Sequence, residues 1–152
     1  MSQQKLVKVG IIGGGLMGRE LLALVGRWDA LLEHPVRPVI TAIADTSDAV
    51  REFFTNAGVT ESYSDYKELL ASANVDVVYI AVPHNLHEEI YIATINSGKD
   101  FLGEKPFGID LAAAEKIEAA LVGKKNFVRV SSELPFFPGA QAAIREARSG
   151  NL

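Results

Sequence analysis

A chain of 152 residues with 48% hydrophobic content is the size of one domain and carries enough apolar side chain for a single core. Its 15 basic and 19 acidic residues leave a net charge of -4 with no Lys/Arg run of three, which argues against nucleic acid or an anionic membrane as a partner. The absence of cysteine excludes a disulfide framework and a thiolate metal site, and no stretch has the makings of a signal peptide or a membrane span, so a soluble cytoplasmic protein is expected.

Residues 6–12, apolar except for Lys8, read as a buried parallel strand. The strand runs into VGIIGGGLMG, where Gly13, Gly15 and Gly18 fall in the register GxGxxG. Each glycine has a task in a nucleotide site. Gly13 permits a tight turn, Gly15 lets the backbone approach a pyrophosphate without a Cβ, and Gly18 lets the following helix sit close to the strand. The pyrophosphate would rest on the N-terminal amides of that helix. Taken alone, such a turn can equally serve packing, so its meaning depends on the residues downstream.

The helical pattern after the glycines covers 16–33, and Pro35 and Pro38 end the helix and its loop. Residues 39–45, VITAIAD, form a second apolar strand that finishes on a carboxylate, where a dinucleotide fold holds the adenosine ribose. Asp45 follows Gly18 by 27 residues. The usual interval is about 20, and the long first helix with its HPVRP loop accounts for the excess. The bland role for Asp45 is a turn residue before a helix. In the ribose role its charge would also repel a 2′-phosphate, which favours NAD over NADP, with NADP as the alternative because Arg51 on the next helix could turn toward such a phosphate.

Thr46 or Ser47 caps a helix through Ala57, with Gly58 as its stop, and residues 59–63 offer a short third strand. Ser64 or Asp65 caps another helix to Ala71. Residues 75–82, VDVVYIAV, are rich in β-branched side chains, nearly uncharged and broken by Pro83, and form the fourth strand. A helix over 86–97 ends at Gly98, and a brief strand at 100–103 leads into Glu104-Lys105-Pro106. Asp110 caps a helix through Val122 with Leu111, Ala114, Ile117 and Leu121 on one face. A sixth strand at 126–131 and a helix over 139–149 complete the pattern. Six strands alternating with helices require right-handed crossovers, hence an α/β doubly wound parallel sheet, a Rossmann dinucleotide-binding fold forming one domain over 1–152.

Two polar stretches lie where such a sheet binds its ligand. Pro83, His84, Asn85 and His87 come after the fourth strand, beside the point where strand order reverses. His84 and His87 with Glu88 lack the further ligand and the supporting partners that a zinc site requires, so no metal is expected. His87 has two readings: a first-turn residue bonded to local backbone, or a donor to the nicotinamide ribose or the substrate. Lys105 after the fifth strand is suited to acid-base work on an alcohol or carbonyl oxygen, with Glu104 to hold ribose hydroxyls or orient the ammonium. Spacing alone favours an exposed turn there.

Together these residues resemble the N-terminal domain of the glucose-fructose oxidoreductase, inositol dehydrogenase and rhizopine-catabolism (Gfo/Idh/MocA) oxidoreductases. VGIIGGGLMG, the strand-ending Asp45, AVPHNLHEEI, SGKDFLGEKP and FFPGAQAAIREARSGNL stand in that family's order and spacing, and the EKP element is more specific than the glycines. The resemblance implies that Gly13, Gly15, Leu16, Met17 and Gly18 cradle the pyrophosphate and that Asp45 holds the adenosine ribose. It implies that Pro83, Asn85, His87 and Glu104 lie near the nicotinamide riboside, and that Lys105 contacts cofactor and substrate and assists proton transfer. The chain departs from the pattern at Pro135, in a region where family members commonly carry a basic residue. Family enzymes continue into a second α+β domain that supplies most substrate contacts, a further Asp and His, and usually a homo-oligomer interface. The expectation is therefore the NAD(P)-binding domain of an oxidoreductase acting on a small sugar, polyol or related compound, cut from a longer chain. The alternative is a non-enzymatic nucleotide-sensing or partner-binding module.

Overall fold

A computed structural model describes residues 5–31 and 34–150. Six strands form one all-parallel sheet: β1 (Lys5–Ile12), β2 (Val36–Ala44), β3 (Glu61–Tyr63), β4 (Val77–Ile80), β5 (Asp100–Gly103) and β6 (Val128–Val130). Their order is β3-β2-β1-β4-β5-β6, so the direction of strand addition reverses between β1 and β4. This is the doubly wound dinucleotide order, with the ligand crevice expected at that reversal. Among the described residues six α-helices complete the fold: α1 (Leu16–Gly26), α2 (Asp48–Asn56), α3 (Tyr66–Ala71), α4 (His87–Ser97), α5 (Leu111–Leu121) and α6 (Pro138–Ser149).

The strands sort their side chains onto two faces by simple alternation. Ile11, Ile43 and Tyr79 point to one face with Phe54 of α2 and, packed against them, Leu21, Leu22 and Val25 of α1. Ile12, Ala42, Ala44, Val78, Ile80 and Phe101 point to the other, under Leu69 of α3, Ile90, Tyr91 and Ile95 of α4, and Ile117 of α5. Complete burial of a side chain such as Phe54 or Phe101 contributes about 1.5–3 kcal/mol. Strong local signals start the helices: Ser47 accepts from the Val50 amide, Asp65 from Lys67 and Asp110 from Ala113. Gly98, in the left-handed region at φ 82°, ends α4.

Three expectations are revised. The first α-helix stops at Gly26 and is succeeded by a 3-10 turn at Trp28–Ala30, whose indole N–H donates to Val36 O at 2.9 Å. Glycine at that point weakens continuation of the helix; the expected end at Glu33 lies outside the described residues. Pro38 stands inside β2 rather than in a loop before it. It is tolerated because β3 pairs only with Ala42–Ala44, so at Pro38 one side of β2 has no neighbouring strand to receive the missing N–H. On α5 the buried positions are Ala113 and Ile117, while Leu111 is 74% exposed. The helix is rotated so that Ala113 and Ile117, four residues apart, face the core.

Candidate functional site

The Gly-rich turn lies at the carboxyl end of β1, at the reversal between β1 and β4. Gly13 has φ +93°, and its amide donates to Ala44 O at 2.9 Å. A Cβ at Gly13 would strike the Ala81 carbonyl at the end of β4, and a Cβ at Gly18 would strike the Gly13 carbonyl. These two glycines therefore let turn, helix and neighbouring strand close upon one another. Gly15 differs: nothing lies within 4 Å of where its Cβ would be. It precedes the first turn of α1 without a side-chain cap, so the first amides of that helix have no side chain competing for them. Leu16 is 73% exposed and Met17 41% exposed beside it.

Asp45, one residue beyond β2, is fastened at both carboxylate oxygens. Oδ2 accepts from the Gly14 amide and Oδ1 from the Ser47 amide, each at 2.9 Å. The side chain of Arg51 donates to the Asp45 carbonyl at 2.6 Å and pairs with Asp48, so its guanidinium is already engaged. A cleft of about 500 Å³ opens between these groups, walled by Gly13, Gly15, Asp45 and Thr46 on one side and Ala81, Pro83 and Leu86 on the other. Ser64, Tyr66 and Glu89 close its outer end. These residues fit a dinucleotide: an open space above Gly15, uncapped helix amides for an anion, and an acceptor pair at the neighbouring strand end.

The residues after β4 and β5 separate into different environments. Pro83 lines the cleft, whereas Asn85 borders a shallow depression with Glu88, Glu89, Ile92 and Ala93 on the outside of α4. His87 is fully buried, Nδ1 lying 2.7 Å from Pro106 O and Nε2 3.2 Å from Val82 O. Glu104 is also buried and accepts from the Tyr79 hydroxyl at 2.7 Å. Burial first, and the Glu104 carboxylate second, push the Tyr79 hydroxyl well above its ordinary range, so it remains a proton donor. Glu104 and Tyr79 share a second groove of about 440 Å³ with Met17, Leu24 and Leu102, on the α1 face of the sheet. Lys105 is exposed, and its ammonium has no hydrogen-bond or ion-pair partner among the described residues.

The sheet thus brings Gly13, Gly15, Asp45 and Pro83 to one cleft, with Leu16 and Met17 on its helix and Gly18 beneath. Asn85, His87 and Glu104 do not line that cleft. Sequence reasoning passed over Gly14, whose amide joins the turn to Asp45, and Thr46, Ser64, Tyr66 and Glu89 at the outer end. The signal for Gly14 was its place between two assigned glycines. Among the described residues no group of three or more His, Asp or Glu side chains could hold a metal ion, and no helix is long and apolar enough to cross a membrane.

Residues 7–132 match the profile of the Gfo/Idh/MocA group, described as an oxidoreductase family with an NAD-binding Rossmann fold. The chain is 35% identical over 108 residues to the D-xylose 1-dehydrogenase (NADP(+)) of Hypocrea jecorina, covering 68% of this chain and 28% of that enzyme. It is 31% identical over 137 residues to mouse trans-1,2-dihydrobenzene-1,2-diol dehydrogenase, covering 90% of this chain and 40% of that enzyme. A levoglucosan dehydrogenase solved in complex with NADH superposes with a TM-score of 0.86 at 26% identity, over 96% of this chain and 40% of that one. The chain spans less than half the length of each of these relatives.

Proposed function

We propose, for a chain that belongs to the Gfo/Idh/MocA oxidoreductase family with its NAD-binding Rossmann fold, that it is the cofactor half of a dehydrogenase acting on a sugar, polyol or related hydroxyl compound. The observation that carries the reading is the pairing of two features at the carboxyl edge of one sheet. One is the cleft between Gly15 and Asp45, and the other is the unpartnered ammonium of Lys105.

In this reading the α1 amides and Gly15 receive the pyrophosphate, and Asp45 accepts from the adenosine ribose hydroxyls while Gly14 and Ser47 hold its carboxylate in place. The cofactor, when bound, supplies the hydride acceptor. Pro83 and Leu86 form the apolar wall along which it extends. Lys105 as the neutral amine would take the hydroxyl proton of an alcohol while the carbon's hydride passes to the cofactor, and as the ammonium it would return that proton in reduction. Glu104, the preceding residue, is buried with its carboxylate held by the Tyr79 hydroxyl. The fastened carboxylate of Asp45 supports NAD over NADP, since it would meet a 2′-phosphate with like charge.

Titration calorimetry of the chain with NAD and NADP tests the cofactor half of this reading, with heat expected from NAD and several-fold less affinity for NADP. No heat and no thermal shift with either would remove it. Assay of the intact enzyme against D-xylose, levoglucosan and a set of polyols tests the substrate class. Absence of turnover across that set with both cofactors would remove the sugar assignment.

A further inference from the structure

Helix α4 carries His87 and Tyr91 one turn apart, both fully buried. Their rings stack at 4.8 Å with an interplanar angle of 23°. His87 Nδ1 lies 2.7 Å from Pro106 O, and the Tyr91 hydroxyl donates to Glu104 O at 2.5 Å. Those two carbonyls belong to the residues immediately before and after Lys105. Gly103 makes room for this arrangement, since a Cβ there would stand 2.5 Å from Tyr91 Cζ and Oη.

We infer that His87 and Tyr91 are positioning residues that grip the backbone on both sides of Lys105 and so set where its ammonium is presented. The inference rests on the acid-base role proposed for Lys105. A buried helix-to-sheet contact needs no polar atoms for its stability, and burying an imidazole and a phenol is unfavourable unless each polar atom finds a partner. Here the partners are the carbonyls of Glu104 and Pro106 beyond β5; the Glu104 amide still donates to Ile80 O at 2.9 Å, and Pro106 lies past that bond to β4. His87 reaches both strand ends, because Nε2 is 3.2 Å from Val82 O after β4. Both ring nitrogens face carbonyl oxygens, and the shorter contact is the one at Nδ1. The edge of His84, at 5.4 Å, is the other ring beside it. Lysine is a long flexible side chain, so its useful position depends on a fixed backbone origin. A displacement of about 1 Å at a reacting group can lower a rate by about 10²-fold.

The test uses the 152-residue chain with labelled lysine and histidine, saturated with NAD. In the unaltered chain a nuclear Overhauser contact between the Lys105 ε-methylene and the nicotinamide C4 proton is expected. Tyr91→Phe removes one oxygen, His87→Phe removes both ring nitrogens, and His87→Asn returns an amide N–H near the Nδ1 position. The contact should weaken at least threefold in the two phenylalanine variants and recover in His87→Asn, with the NAD dissociation constant within about threefold throughout. Unchanged contacts in both phenylalanine variants would overturn the inference. So would a fall in NAD affinity that tracks the lost contact, because the pair would then serve the cofactor site or the fold. If the unaltered chain binds NAD without the contact, the role of Lys105 itself is wrong and the inference goes with it. Should His87→Phe fail to fold, Tyr91→Phe still decides the matter.

Discussion

The Asp45 carboxylate accepts a hydrogen bond from the Gly14 amide at 2.9 Å, across a separation of 31 residues. The turn that meets the phosphates and the acceptor that meets the ribose are therefore one bonded unit. The Ser47 amide on the other oxygen removes the remaining freedom of the carboxylate, so its acceptor positions exist before any ligand arrives. Binding then need not order this side chain.

Replacing Asp45 by Ala should weaken NAD binding about 10- to 100-fold, since a hydrogen bond to a charged group contributes about 1.5–3 kcal/mol. Affinity for NADP should fall much less, because a like-charge repulsion goes with the carboxylate. Calorimetric dissociation constants for both cofactors check this, and a Kd for NAD within twofold of the original would remove Asp45 from the site.

The glycines separate stability from binding. Gly13→Ala forces a side chain to φ +93° and into the Ala81 carbonyl, and should destabilise the fold by about 2–5 kcal/mol, lowering Tm by roughly 5–15 °C. Gly15→Ala meets open space; Tm should move by about 2 °C or less while NAD affinity drops at least about tenfold, because its Cβ enters the pyrophosphate position. Thermal melts with and without NAD distinguish the two, and equal loss of Tm in both variants would refute the division.

Lys105→Ala should leave Tm and NAD affinity near their original values, because the side chain is exposed and unpartnered. In the intact enzyme it should lower kcat by about 10²–10⁴-fold, the usual loss when a general acid-base group is removed. Lys105→Arg should not restore the rate, since a guanidinium does not release its proton. A kcat within threefold of the original would show that proton transfer runs elsewhere.

All four tyrosines sit above the ordinary phenol value of 10. Tyr66 is pushed up to about 12, first by burial and then by Glu89, which accepts its proton at 2.6 Å. A folded-state value above the unfolded one means that the native state keeps a proton the unfolded chain has released. The stabilising contribution is therefore complete below pH 10 and is lost as pH rises through about 12. Absorbance at 295 nm should show little phenolate at pH 10.5, and denaturant midpoints should fall from pH 10 upward. Tyr66→Phe should flatten part of that fall; a slope that is unchanged would mean that Tyr66 does not contribute to it.

Local chemistry made much of this protein legible in its sequence. The alternation that puts Ile11 and Ile12 on opposite faces, the caps at Ser47, Asp65 and Asp110, and the glycine that ends α4 all depend on residues within one turn or one strand. For the same reason the strand count, the parallel sheet and the paired placement of the Gly-rich turn and Asp45 at strand ends were readable. What tertiary structure alone decided is which side chain meets which distant carbonyl. His87 could be read as bonding local backbone or as donating to the nicotinamide ribose or the substrate, and only the rotation of α4 against β4 and β5 turns its ring inward to Pro106 and Val82. Glu104 could hold a ribose or a lysine, and the register that sets Gly103 beside Ile80 brings its carboxylate to the Tyr79 hydroxyl. Leu111 fits the apolar stripe of α5 but is left exposed, the helix being turned to bury Ala113 and Ile117. Helix rotation, strand register and sheet edge are set by the whole core packing at once, and no short stretch of sequence carries that information.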